Sequence, residues 1–344
     1  MTIDIREHST SKGKATERHS HSYSSCDRSP RSFRSPITSF LSAILITITS
    51  IVAMPAAAGD VVPLYAAVGL SPTTPFSRPL GIFCDRERGE VYVADTGNHQ
   101  VVVCDSNGMA LFRFFHYVTR DLERVEGEPT SIVVDDQGRI FLTDAQAKYL
   151  DVLDYRGRSI EKIPPPAHEC DATDRFDRVA LGYDGNVYAT LVCGRRVAVI
   201  DANLEVARVI ELEDRRDEQS CMTAIGVGVN GNIYIGDPCA AEMVRIFDTN
   251  GKFIRGFGRH DSGFENFSFP AALHVLPNDE IWVVDTIRQI ASRFTAEGEF
   301  LAYVGGKGEG LGAFNYPSGV ATNGDDRLFV LERGGNRYQC FRFE

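Results

Sequence analysis

Five acids recur at matched places in this chain of 344 residues: Asp95, Asp144, Asp237, Asp285 and Glu332. Each stands three positions after an aromatic residue, in the pairs Tyr92/Asp95, Phe141/Asp144, Tyr234/Asp237, Trp282/Asp285 and Phe329/Glu332, and Tyr188/Leu191 is a sixth pair without the acid. Carboxylates brought to one rim offer the hard oxygen ligands that suit calcium. An Asp at the start of a bend also accepts hydrogen bonds from the N–H groups of that bend, and a repeated unit needs this cap in every copy. Periodicity therefore favours capping, and a functional site is expected among residues that break the repeat.

His99, Lys148, Arg195, Arg196, Glu242, Arg288, Arg333 and Arg337 break it in the bends and are the candidate ligand-binding residues. Five histidines lie beyond residue 58, and four of them (His99, His116, His168 and His260) fall in bends or connecting segments at one end of the units. The fifth, His274, lies inside a strand, Ala271-Ala272-Leu273-His274-Val275. His99, His116, His260 and His274 are the candidate zinc ligands. No His-x-His or His-Glu-x-x-His spacing joins any two of them, and no nucleophile elbow, phosphate loop or paired-carboxylate motif occurs, so no catalytic residue is assigned.

The elements that position these residues follow from the period. The second members of the six pairs are separated by 49, 47, 46, 48 and 47 positions, the mark of one supersecondary unit repeated and stacked on its neighbours. The first unit reads as four short strands: Pro79 to Cys84, Glu90 to Ala94, Gln100 to Cys104 and Ala110 to Phe114. Turns at Gly89, at Gly97-Asn98 and at Asp105 to Gly108 separate them. Four antiparallel strands per unit form a propeller blade. The sixth unit, from Pro317, has room for only three strands before Glu344, and Leu64 to Gly69 resembles a fourth-strand run. The expected fold is thus an all-β, six-bladed propeller whose last blade is completed by the N-terminal strand, which leaves no open edge at the seam. The third unit, with Leu191 for the acid and Asn203-Leu204 for the turn glycine, is expected to be irregular.

The run PLGIFCDRERGEVYVADTGNHQVVVCDSNG at 79–108 resembles an NHL repeat, with its Pro-x-Gly-Ile start, Asp-x-x-Gly turn and Ala-Asp-x-x-Asn-His centre. The resemblance extends over residues 62–344 and implies the six-bladed ring. Some rings of this kind bind RNA through a basic face, and an amidating lyase of similar shape uses metal-bound histidines near its axis. Neither property transfers by fold alone.

Strand direction alternates, so the start of each first strand and the bend between second and third strands share one mouth of the ring. Cys193 and Cys239 fall in such bends of neighbouring units, and Cys170 and Cys221 precede the first strands of the same two units. The expected pairing is Cys170 with Cys193 and Cys221 with Cys239, one of three connectivities open to four cysteines, with four unpaired thiols as the alternative. Cys84 and Cys104 have a strand between them, about 9.5 Å of separation, which is beyond disulfide reach. With Cys340 they read as buried apolar residues.

Residues 1–36 are basic and Ser-rich with nothing to bury, residues 37–58 carry an apolar run ending in Pro-Ala-Ala-Ala, and residues 59–344 form the ring. The middle segment reads as a signal peptide, or as a membrane anchor if uncleaved, and an extracytoplasmic location is expected either way. Beyond residue 58 the chain holds 29 Lys or Arg against 43 Asp or Glu, a net of −14, which repels phosphate backbones and argues against nucleic acid. The expected function is a binding or scaffold module for a protein, peptide or glycan. The alternative is a metal-dependent lyase or lactonase on the same ring. No cofactor is expected, and zinc or calcium are the candidate metals.

Overall fold

A computed structural model of the chain describes residues 61–71, 73–120, 122–168, 174–213 and 221–343. The segments 1–36 and 37–58 therefore lie outside the described residues, as does Cys170 and with it the pairing of Cys170 to Cys193. Six four-stranded antiparallel sheets account for the fold. The first blade runs through Gly81–Asp85, Glu90–Asp95, Gln100–Asp105 and Ala110–Phe115, within one or two residues of the strands read from the sequence. The alternation of buried and exposed positions is weak in the inner three strands, because both faces of each blade pack against neighbours. It reappears in the outer strand, where Leu111 and Phe112 are exposed and Phe114 is buried.

The ring closes as expected. Val62–Ala67 pairs antiparallel with Arg337–Arg342 and supplies the outer strand of the sixth blade. Leu64 and Tyr65 pack against the core shared by the first and last blades, and the Tyr65 hydroxyl donates to the Ser106 carbonyl at 2.8 Å in the first. The N-terminal strand thus joins the two ends of the chain.

The third blade corrects the expectation of irregularity. Its strands Phe176–Leu181, Val187–Leu191, Arg196–Ile200 and Val206–Glu211 are complete. Two substitutions hold it to the pattern. Asp174, 1 % exposed, replaces the acid missing at Leu191: it accepts the Cys193 N–H at 3.0 Å and pairs with the Arg196 guanidinium. Leu204 takes the left-handed conformation (φ 66°) that Gly157 and Gly251 take in the same turn of the neighbouring blades. Leu204 also packs on the core of that blade, which offsets a backbone cost of about 1–2 kcal/mol.

A belt of hydroxyl groups joins one blade to the next at the mouth where inner strands begin. Thr96 donates to the Pro129 carbonyl at 2.7 Å, Thr143 to Asp177 at 2.9 Å, and Ser318 to Pro79 at 3.0 Å. Thr223 and Thr286 do the same to Pro270 and Pro317. Each receiving carbonyl lies at the start of the next inner strand, so the belt sets the axial height of neighbouring blades.

Candidate functional site

The repeated acids are turned into the bends. Asp285 accepts the N–H groups of Ser268, Phe269, Ile287 and Arg288, and Asp237 those of Cys221 and Cys239. Asp95 accepts from the Ser77 N–H and from the Asn98 and Gln100 amides. Burial pushes the Asp95 carboxyl above its ordinary pKa, against the pull of these hydrogen bonds. Each acid ties a bend to the segment entering its own blade.

Most of the cationic residues proposed as ligand-binding are engaged in the same framework. Arg196 is buried against Asp174. Arg288 donates to the carbonyls of Gly263 and Asn266, and Arg337 to those of Glu309, Gly310 and Ala313 while pairing with Glu332 at 2.6 Å. The His99 Nδ1 lies 2.7 Å from the Gly127 carbonyl. Lys148 and Arg333 are exposed, and Arg195 and Glu242 are half-buried in their bends.

The candidate zinc ligands are not drawn together. Among the described residues the one cluster of three metal-ligating atoms is Cys221, Asp237 and Cys239, whose two sulfurs are bonded to each other. The disulfide Cys221–Cys239 is thus as read from the sequence, and it closes a loop of 18 residues on the fourth blade. Replacing both cysteines by serine is expected to cost about 3 kcal/mol by loop closure. Denaturant melts check this: the difference from the wild-type chain should vanish once dithiothreitol is added. Cys84, Cys104 and Cys340 are buried and unpaired, and burial pushes the first two thiols up to about 12 and about 11. His260 is exposed beside a short bridge to Phe267.

His116 is placed differently from a surface histidine. It is 2 % exposed, with Nδ1 at 2.9 Å from Asp144 and Nε2 at 3.1 Å from Asp151. Burial works against its charge, yet the two carboxylates outweigh it and raise the imidazole pKa above the ordinary value. A Cβ on Gly127 would lie 2.4 Å from Asp144 Oδ2 and 2.6 Å from His116 Nδ1, so only glycine leaves room there. The triad anchors the base of the hairpin formed by Tyr117–Arg120 and Glu123–Glu126 onto the second blade. Its signal in the sequence was faint, since neither Asp151 nor the hairpin repeats.

The open space of the ring is its central channel, a cavity of about 570 Å³ lined by the inner strands of all six blades. Its walls carry Phe83, Leu181 and Ala272 alongside four basic side chains, Arg178 and His274 in inner strands and Arg86 and Arg88 in the turn that follows the first of them. His274 keeps some surface open to the channel, but protein surrounds it, and burial lowers its pKa to about 4, with the nearby Arg86 adding to the shift. Arg86 also opposes the upward shift that burial imposes on Tyr183, whose hydroxyl donates to the Val275 carbonyl at 3.1 Å. Arg86, Tyr183 and His274 come from the first, third and fifth blades and meet where the inner strands end. The turns at that mouth carry Glu87, Asp136, Asp184, Asp279 and Asp325 together with Arg86 and Arg88, while the cationic bends lie at the other mouth.

Arg178 sits in the inner strand near the basic mouth. Its Nε is buried without a hydrogen-bond partner, and its nearest carboxylate is Asp177 at 3.7 Å. An unsatisfied buried donor costs about 1–3 kcal/mol. Reading the bends for residues that break the repeat passed over it. The signal was a charged pair, Asp177-Arg178, inside an inner strand where the other blades place small or apolar residues.

Six four-stranded blades closed by the N-terminal strand make this protein a six-bladed β-propeller. The chain carries an NHL repeat in its first blade, where residues 76–104 match the NHL repeat model. NHL repeat-containing protein 3 of Mus musculus is 30% identical over 128 residues, and the matched stretch spans 36% of this chain and 35% of that protein. Among solved structures, a streptogramin B lyase covers 83% of this chain and 97% of its own at 14% identity, with a TM-score of 0.56. A gluconolactonase from Xanthomonas campestris is similar over 84% of this chain and 99% of its own, at 12% identity and TM-score 0.55. A luciferin-regenerating enzyme is similar over 83% and 95%, at 12% identity and TM-score 0.57. At these identities the likeness is one of fold.

Proposed function

We propose that this protein is an extracytoplasmic binding module that takes the end of a protein, peptide or glycan into its central channel from the basic mouth. The observation that carries this reading is the channel itself: about 570 Å³, within the size range of ligand pockets, and lined near the basic mouth by Arg178, whose buried Nε has no hydrogen-bond partner. The Cys221–Cys239 disulfide suits an oxidising compartment. Among the described residues no helix is long and apolar enough to cross a membrane.

A metal-dependent lyase or lactonase on the same ring is the competing reading. It would rest on His274, but among the described residues no cluster of three metal-ligating side chains includes it. Stoichiometric zinc or calcium found by elemental analysis after metal-replete expression would overturn the binding reading.

Ala271 lines the channel, is half-buried and belongs to no packed cluster, so a tryptophan there fills space a ligand would need. Full-length protein and Ala271→Trp are to be probed on peptide and glycan arrays, with melting temperatures as the folding control. Signals present in the wild-type chain and absent from a well-folded Ala271→Trp are expected. Equal signals from both would place the ligand outside the channel.

A further inference from the structure

We propose that the central channel is a carboxylate site, centred on Arg178, for an organic acid with an apolar body. The inference rests on the channel being the ligand site and names the chemistry of its occupant. Arg178 is the only lysine or arginine in the six inner strands. It also differs from the arginines of the bends at the same mouth. Arg196, Arg288 and Arg337 spend their donors on buried carboxylates and carbonyls, whereas among the described residues the Arg178 guanidinium makes no hydrogen bond. Its planar fork matches a carboxylate with two parallel N–H···O bonds, and the channel is where such a group would have to lie.

Two further features fit this occupant. Phe83, Leu181 and Ala272 keep partly open apolar surface on the channel wall and suit a hydrocarbon or aromatic body. The far mouth is of mixed charge, with Arg86 and Arg88 beside Glu87, Asp136 and Asp325 and Arg88 paired with Asp85 at 2.5 Å, so Arg178 is the channel arginine at the opposite, basic mouth. His274, farther along the channel, keeps part of its surface open to it and offers a neutral imidazole N–H to a bound ligand. A free organic acid and the C-terminus of a peptide share this chemistry.

Titration calorimetry on the full-length protein separates the cases, with octanoate standing for a free acid and N-acetylphenylalanine for a peptide terminus, each compared with its primary amide. Saturable binding of at least one acid is expected, with its amide weaker by about tenfold or more. That preference should disappear in Arg178→Met and shrink in Arg178→Lys, which keeps the charge but loses the fork. If Arg178→Met does not fold, the lysine variant reads the same preference. Tighter binding of octanoate points to a free acid and the reverse to a peptide terminus. If the amides bind as tightly as the acids, and the variants bind as the wild type does, the channel remains a ligand site and the carboxylate inference alone is overturned. If no acid and no amide binds saturably, both readings fall together.

Discussion

A chain lacking residues 59–70 should melt about 10 °C below one lacking residues 1–58, because the outer strand of the sixth blade goes with it. The Val62–Ala67 strand pairs with Arg337–Arg342 along its length, and its loss leaves a free edge where the ring should be continuous. Leu64, Tyr65 and Ala67 contribute to the core shared with the first blade, and Tyr65 meets the Tyr338 ring edge-on with centroids 6.3 Å apart. Removing three partly or fully buried side chains of this size costs about 3–5 kcal/mol, a large share of a net stability of about 5–15 kcal/mol. At about 2–4 °C per kcal/mol for a domain of this size, the shift is easily read in a thermal melt. Equal melting temperatures would mean that the strand adds nothing to closure in solution.

The second large effect belongs to His116. His116→Ala leaves Asp144 and Asp151 facing each other in a dry site, and breaking a buried pair in this way costs about 3–5 kcal/mol. Because the folded-state pKa of His116 is raised, its charge contributes stability that is fully present below the ordinary histidine value and is lost as pH rises through the folded value. The gap between wild type and His116→Ala in denaturant melts should therefore be widest near about pH 6 and narrow in alkaline buffer. Amide exchange in the Tyr117–Glu126 hairpin should quicken over the same range, since the triad holds its base. A gap that is constant from acid to alkaline pH would show that the imidazole is neutral in the fold.

Local information was enough for the blades, their number and the seam. Period, strand alternation and turn residues are short-range properties, and each unit of about 47 residues states them again, so six copies corroborate one another. The Cys221–Cys239 pair was legible for the same reason, because the repeat itself tells which loops share a mouth. Blade three shows where this reading reaches its limit. The missing acid at Leu191 looked like a defect, but Asp174, from outside the repeated position, restores the carboxylate in space.

What the bends and the channel do depended on partners far apart in sequence. Whether an arginine is spent on the framework or left open is decided by which carbonyls and carboxylates come within about 3 Å, so the sequence marked Arg178 as unusual for an inner strand without telling that its Nε stays unpartnered while Arg196 and Arg337 are engaged. His116 meets Asp144 and Asp151 only because the first and second blades pack side by side, and His274 loses its charge only because six inner strands surround one cavity. The amino-acid sequence by itself determined the repeat, the ring and its closing strand, since those follow from hydrogen bonding and burial within and between neighbouring units. The tertiary structure alone decided which polar groups are satisfied and which are left facing the channel, because desolvation and hydrogen-bond geometry exist only once all six blades are in place.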